Sequence, residues 1–346
     1  MPVYWNLDPS GDNLAETAAK CVDIGLINNM PNGALAATER QFVNLLSAAS
    51  EGIALRLSIY ALPEVPRSEQ SRRYIDSSYR SIDTLWESQL DGLIVTGTEP
   101  VAANLADEPY WGTLTRVLEW AEQNTSSSIW SCLAAHAAVL HLDGIGRRRY
   151  SEKRFGLFEC AGVTNHELIG GAPTRLRVPH SRWNDIDESD LVSCGYRIVS
   201  RASDGGVDSF VKQTKSLFVF FQGHLEYEAN TLLLEYRRDI GRYLRGERDT
   251  YPRMPESYLD EDASAALAAL RTRAIADRRV ELLDEFPTSL GERNLTPMWR
   301  PAATHVYRNW LTYLCAQKEQ QLERQGRKNP ARETVSISER CYAAAD

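Results

Sequence analysis

The sequence predicts an α/β fold, a doubly wound and mainly parallel sheet flanked by helices. Three observations carry this expectation. Short apolar runs, such as Gly92-Leu93-Ile94-Val95 and Leu217-Phe218-Val219-Phe220-Phe221, have the near-continuous hydrophobicity of strands buried on both faces. Segments of helical periodicity follow the first and third of these runs in chain order, at intervals that imply parallel crossovers. Turn-forming residues follow the run ends, as in Asn28-Asn29-Met30-Pro31-Asn32-Gly33.

In chain order, residues 22–27 read as the first strand, and residues 38–46 as a helix with Phe42, Leu45 and Leu46 on one face. Leu55, Leu57 and Ile59 alternate with Arg56, Ser58 and Tyr60, the period of a half-buried strand. Residues 92–97 form a buried strand ending in a Gly turn, and residues 110–122 an amphipathic helix. The strand 128–131 feeds a helix that runs to about 142. Residues 143–195 read as loop-rich, basic at first through Arg147, Arg148, Arg149, Lys153 and Arg154. Strands are expected at 196–199, 208–211 and 217–221, then helices at 228–244, at 265–283 with Ser264 as its cap, and at 304–315. This divides the chain into an N-terminal extension (1–20), a single domain (21–316) and a charged C-terminal extension (317–346), helical at first and then disordered.

Composition narrows the function. A net charge of −8 argues against a nucleic-acid groove or an anionic membrane surface. No run reaches the roughly 18 apolar residues of a membrane span. Residues 1–12 show no basic stretch leading into an apolar one, so no secretion signal is expected. The six cysteines are scattered, without a C-x-x-C pair, and no two histidines have metal-ligand spacing. A cytoplasmic location and no metal are therefore expected.

The chemistry centres on Cys132. It sits where Ser128-Ile129-Trp130-Ser131 gives way to the small-residue helix Leu133-Ala134-Ala135-His136-Ala137-Ala138. A strand feeding directly into a helix forces a tight turn, and a thiol there meets the free N–H groups and positive dipole of the helix start, which favour a thiolate. The later strand ends in Gln222-Gly223-His224-Leu225-Glu226-Tyr227. A histidine at a strand end with an acid two positions on supplies the base and orienting carboxylate of a Cys132–His224–Glu226 triad. Four loops lie where ligands bind in such sheets, beyond the carboxyl ends of the strands: residues 28–33, 97–104, the Cys132 turn, and 223–227.

These segments resemble the homoserine O-acyltransferases of methionine biosynthesis, whose fold is flavodoxin-like, of the class I glutamine-amidotransferase type. Matching segments run in the family's order from Leu26-Ile27-Asn28-Asn29-Met30-Pro31, through Thr38-Glu39-Arg40-Gln41-Phe42, residues 91–97 and the Cys132 turn, to Glu152-Lys153 and Pro179-His180-Ser181-Arg182. They continue through residues 223–227, Arg238-Asp239, Trp299-Arg300 and Asn309-Trp310-Leu311, covering roughly residues 22–315. The resemblance implies acyl transfer from a coenzyme A thioester to L-homoserine, without a permanently bound cofactor and in a homodimer. It implies that Cys132 carries the acyl group, His224 is the base, Glu226 orients it, and Arg238 holds the homoserine carboxylate. Lys153 and Ser181 match positions lining the family's site. One residue of the loop after Gly97 separates succinyl-CoA from acetyl-CoA users, and it falls on Val101 or Ala102. Aligning the prolines selects Ala102, small enough for a succinyl group, so succinyl-CoA is favoured over acetyl-CoA.

The chain departs from the family pattern at Leu133 and His136, where Trp and Gln are common, and at Asn32-Gly33, where lysines are missing. These departures leave serine or another hydroxy amino acid open as acceptor. Amide hydrolysis by the same triad, or a non-catalytic binding role, stand as rivals. His136 and His141 read as packed or surface histidines, His180 as support for Ser181, and Arg147–Arg149 as a solvated turn, with coenzyme A phosphate contact as the alternative.

Overall fold

The run Leu217–Phe221 shows how this sequence builds a sheet covered on both sides. Phe218 and Phe220 enter one core cluster, with Val117, Leu118, Ala134 and Val139. Leu217, Val219 and Phe221 enter the opposite one, with Phe42, Leu46, Tyr307 and Trp310. Alternate side chains thus feed opposite layers, and an all-apolar run satisfies both. Removing a side chain of this size from water contributes roughly 1.5–3 kcal/mol.

The structure, a computed structural model, describes residues 3–5, 21–287 and 297–328, with the backbone alone for 3–5 and 325–328. Expectations for residues 6–20 and 329–346 lie outside the described residues. The strands are β1 (Val3–Trp5), β2 (Cys21–Ile27), β3 (Ala54–Tyr60), β4 (Gly92–Val95), β5 (Ser127–Ser131), β6 (Arg148–Gly162), β7 (Arg175–Asp185), β8 (Arg197–Ala202), β9 (Val207–Gln213) and β10 (Leu217–Phe221). They form one sheet in the order β1-β3-β2-β4-β5-β10-β9-β8-β6-β7. β1 through β5 and β10 pair in parallel, while β9, β8, β6 and β7 extend the sheet antiparallel from β10. The expected doubly wound, mainly parallel α/β architecture holds for the first half, and the order reverses between β3 and β4 on either side of β2.

Helices α1 (Asn32–Ala49), α2 (Glu69–Ser78), α3 (Trp111–Asn124), α4 (Leu133–Asp143), α5 (Glu188–Ser193), α6 (Thr231–Leu244), α7 (Glu261–Ala276) and α8 (Arg300–Lys328) complete the fold. α3 and α4 cover one face of the parallel half, and α1 and α8 the other. α6 and α7 form a third cluster around Tyr236, Leu267 and Trp299, against Phe155 and Leu157 of β6. Among the described residues, no helix is long and apolar enough to cross a membrane.

Three expectations are corrected. Residues 143–195, read as loop-rich, contain the two long strands β6 and β7. The first half of β6 is polar because it is largely exposed, so its sequence lacks the alternation of a covered strand. Ser264 does not cap α7; Asp260 does, accepting from the Ala263 N–H at 2.8 Å. That helix ends at Ala276, and Val280–Glu285 forms a separate 3₁₀ turn. The last helix is longer than 304–315. It begins at Arg300, and Lys318 pins its far portion to Asp91 at 2.7 Å and Asp23 at 3.2 Å.

Candidate active site

Cys132 occupies the sharp turn between β5 and α4, with φ 53° and ψ −114°. A side chain rarely adopts this backbone, and it costs on the order of 1–3 kcal/mol. The surroundings enforce it. The Cys132 N–H donates to Phe221 O on β10 at 2.7 Å, and its carbonyl accepts from the Ala135 N–H at 3.0 Å. The Leu133 and Ala134 N–H groups precede the first bonds to the Cys132 carbonyl, so they are the unpaired donors at the positive end of α4.

Gly97 keeps that helix start open. A Cβ there would lie 2.9 Å from both Leu133 N and Leu133 Cβ. The absence of a side chain leaves the Leu133 N–H free to meet an oxyanion. Gly97→Ala is therefore expected to lower kcat by about 10²-fold while KM moves little, which steady-state kinetics on the folded variant checks.

β10 lies beside β5, so its end brings His224 to Cys132. Cys132 and His224 interact electrostatically, and His224 Nδ1 meets Glu226 Oε1 at 2.7 Å. Burial opposes charging of the imidazole, but Glu226 and Cys132 together hold its pKa well above 6.5. The Tyr227 ring stacks on His224 with centroids 4.2 Å apart. Trp299 Nε1 donates to Tyr227 O at 2.9 Å and Arg300 Nη1 to Glu226 O at 3.4 Å, so the start of α8 braces the segment that carries the base. Gly223 fits because the chain there crosses a buried pair. A Cβ would lie 2.9 Å from Asp208 Oδ1 and 3.1 Å from His180 Cε1.

A second polar group lies on α6. Lys153 Nζ reaches Glu235 at 3.4 Å and Asp239 at 3.2 Å. Ser181 Oγ and Tyr227 Oη both donate to Glu235. Burial alone would raise the Glu235 pKa, but Lys153, Arg238 and these two hydroxyls hold it at about 2. Arg238 donates through Nε to Asp239 at 3.0 Å and lies 3.7 Å from Glu235. Lys153 arrives from an irregular stretch where β6–β7 pairing lapses between Arg149 and Arg154, and Ser181 from the adjoining β7 position opposite Phe155. Asp239 lies in the matched Arg238-Asp239 segment, whereas Glu235 carries no motif of its own. Its one legible signal is helical spacing, at −3 from Arg238, which places it on the same face.

The loop after β4 borders both groups. Glu99 pairs with Arg242 through two 2.7 Å bonds, one turn beyond Arg238. Val101 points outward, 68% exposed, and Ala102 is half-buried. Of the basic run expected to be a solvated turn, Arg148 and Arg149 are exposed, whereas Arg147 is partly buried and donates to Ala103 O at 3.3 Å. Asn32 accepts from the Ser68 N–H at 2.7 Å and so ties α1 to α2.

One group of metal-ligating type occurs among the described residues, Cys160, His180 and Asp208. Arg182 Nε donates to His180 Nδ1 at 3.3 Å, which puts the ring proton on Nε2, facing Asp208 Oδ1 at 3.2 Å. No lone pair is then left on His180 for a metal, and the set is a buried polar network of a neutral imidazole and a carboxylate beneath Gly223.

His136, on α4 one turn beyond Cys132, is only 3% exposed, and its Nδ1 has no hydrogen-bond partner. Burial, then Arg182 and Arg147, depress its pKa to about 3; burial, with Arg182 and Arg154, holds His180 at about 4 against the opposing pull of Asp208. The unfolded chain binds these protons below about 6.5 and the folded chain does not, so stability is complete above 6.5 and falls as pH drops toward 3. His136→Gln is expected to reduce the stability lost between pH 7.5 and 4.5 by roughly 2–3 kcal/mol, read from urea midpoints at the two pH values.

Fold and site together define an α/β enzyme with a thiol, an imidazole and a carboxylate at the carboxyl ends of β5 and β10. The chain belongs to the homoserine O-succinyltransferase family, whose sequence pattern matches residues 10–321. It is 47% identical to the homoserine O-succinyltransferase of Rhodopseudomonas palustris over 300 residues, 87% of this chain and 90% of that protein. It is 45% identical to the homoserine O-succinyltransferase of Methylorubrum extorquens, over 86% of this chain and 88% of that one. Among solved structures it is similar to a glutamine amidotransferase from Thermotoga maritima, at 15% identity and a TM-score of 0.44, covering 85% of this chain and 98% of that one.

Proposed function

We propose that this protein transfers a succinyl group from succinyl-CoA to the hydroxyl of L-homoserine, in two steps through a thioester on Cys132. The observation that carries the reading is the strained Cys132 turn beside a His224 whose charged form Glu226 and Cys132 both favour. In the first step Sγ attacks the thioester carbonyl carbon, and the Leu133 N–H receives the developing oxyanion. The carbon–sulfur bond to coenzyme A breaks, and its thiolate leaves with the proton from His224. In the second step neutral His224 takes the proton from the acceptor hydroxyl, whose oxygen attacks the acyl carbon. Cys132 leaves as thiolate, and His224 is again charged.

The α6 group suits an amino-acid zwitterion. Asp239 occupies Nε and Nη2 of Arg238, leaving Nη1 for a carboxylate. Glu235 and Asp239 are acceptors for an ammonium group. The succinyl preference is supported by the family and by the small Ala102, and no cofactor is needed because the thioester brings its own activation. Release of free coenzyme A thiol, followed with each donor and acceptor in turn, tests the reading. The expected result is kcat/KM at least about tenfold higher for succinyl-CoA than acetyl-CoA and for homoserine than serine. No thiol release with any pair, or ammonia release from glutamine, would sink it.

A further inference from the structure

Two consecutive backbone N–H groups, those of Val101 and Ala102, converge on one oxygen of a buried carboxylate. Glu108 Oε1 accepts both at 2.8 Å. Successive amides aimed at one point form a concavity suited to an anion. Here the anion is the chain's own side chain, from a residue just past the 3₁₀ turn Leu105–Asp107. Glu108 is 3% exposed, so detaching the loop would strand a buried carboxylate and two amides. Arg147 extends the anchor, donating to Ala103 O and facing Glu108 electrostatically. On the opposite flank Glu99 is held by Arg242. The short span between these anchors carries Val101 and Ala102, and its backbone has little freedom left.

We propose that Glu108 is the positioning residue for acyl-donor selectivity, fixing through the Val101 and Ala102 amides which of those two side chains borders the acyl group. This rests on the acyl-CoA reading above. Selectivity then depends on the carboxylate behind the loop as well as on the residue type at 101 or 102. Swapping those side chains alone would act on a backbone that Glu108 has already set.

Three variants of the full chain test it: Glu108→Leu, which removes the acceptor; Glu108→Asp, which withdraws it by one methylene; and Glu108→Gln, whose amide oxygen can accept the same two bonds. Amide hydrogen exchange at Val101 and Ala102 is measured beside kcat/KM for succinyl-CoA and acetyl-CoA and KM for homoserine. In Glu108→Leu both amides are expected to exchange at least about tenfold faster and the donor ratio to shift by about tenfold, with homoserine KM within about twofold. Glu108→Asp shifts the ratio the same way by less, and carries the test if the Leu variant does not fold. Glu108→Gln retains the protection and the donor ratio. Loss of protection with an unchanged donor ratio would overturn this inference alone. Wild-type protein that turns over neither donor would overturn the acyl-CoA reading and this inference together, before any variant is compared.

Discussion

Replacing Cys132 with Ser is expected to lower turnover by about 10⁴-fold or more while leaving the fold intact. The substitution changes little in volume, and the backbone bonds that shape the turn, to Phe221 O and from Ala135 N, do not involve the side chain. What changes is the nucleophile. A hydroxyl is a far weaker acid than a thiol, and a His224 already charged by Glu226 is a poor base for it. The backbone of Cys132 offers a companion measurement. Because φ 53° and ψ −114° strain any residue with a Cβ, Cys132→Gly is expected to raise stability by about 1–2 kcal/mol. An inactive variant that is more stable than the parent would show that the turn is held strained for the sake of the thiol's placement. Urea unfolding midpoints of the Ser and Gly variants separate the two effects.

Glu226→Gln is expected to lower kcat/KM by about 10²- to 10⁴-fold. The amide can still meet His224 Nδ1, but it removes the charge that offsets burial of the imidazolium. The alkaline limb of the kcat/KM profile for the acyl donor then moves to lower pH, whereas a residue acting only through packing would leave it in place. The same pair acts on stability, and the sign follows from the raised pKa. A histidine that ionises more readily in the folded chain contributes fully below about 6.5, and the contribution disappears as pH rises through its folded value. The Gln variant should therefore lose most stability at pH 6 and least at high pH.

Much of this site is legible in the sequence because its parts are short-range. A strand that runs straight into a small-residue helix makes the Cys132 turn, and His224 and Glu226 lie within one strand-end loop. What brings the two pieces together, the parallel pairing of β5 with β10, crosses the β6–β9 region and has no local signature. Glu108 and Glu99 escaped sequence reasoning for the same reason. Each looks like an ordinary surface acid, and only the folded loop aims one at the Val101 and Ala102 amides and the other at Arg242. β6 was missed because an exposed antiparallel strand beyond the parallel core needs no apolar period, and Lys153 sits in the irregular stretch where its ladder lapses. Ser264 resembled a cap because its residue type is right, but Asp260, four residues earlier, has the extended backbone and the bond to the Ala263 N–H that a cap requires.

The central claim is that the acyl group rests on Cys132 between donor and acceptor. The most direct test is the intact mass of the protein after mixing with succinyl-CoA in the absence of any acceptor, for the wild type and Cys132→Ala. The account predicts a gain of one succinyl group in the wild type, none in Cys132→Ala, and loss of the adduct when L-homoserine is added. An unmodified wild type that nevertheless releases coenzyme A on addition of homoserine, or an adduct that persists in Cys132→Ala, would contradict it.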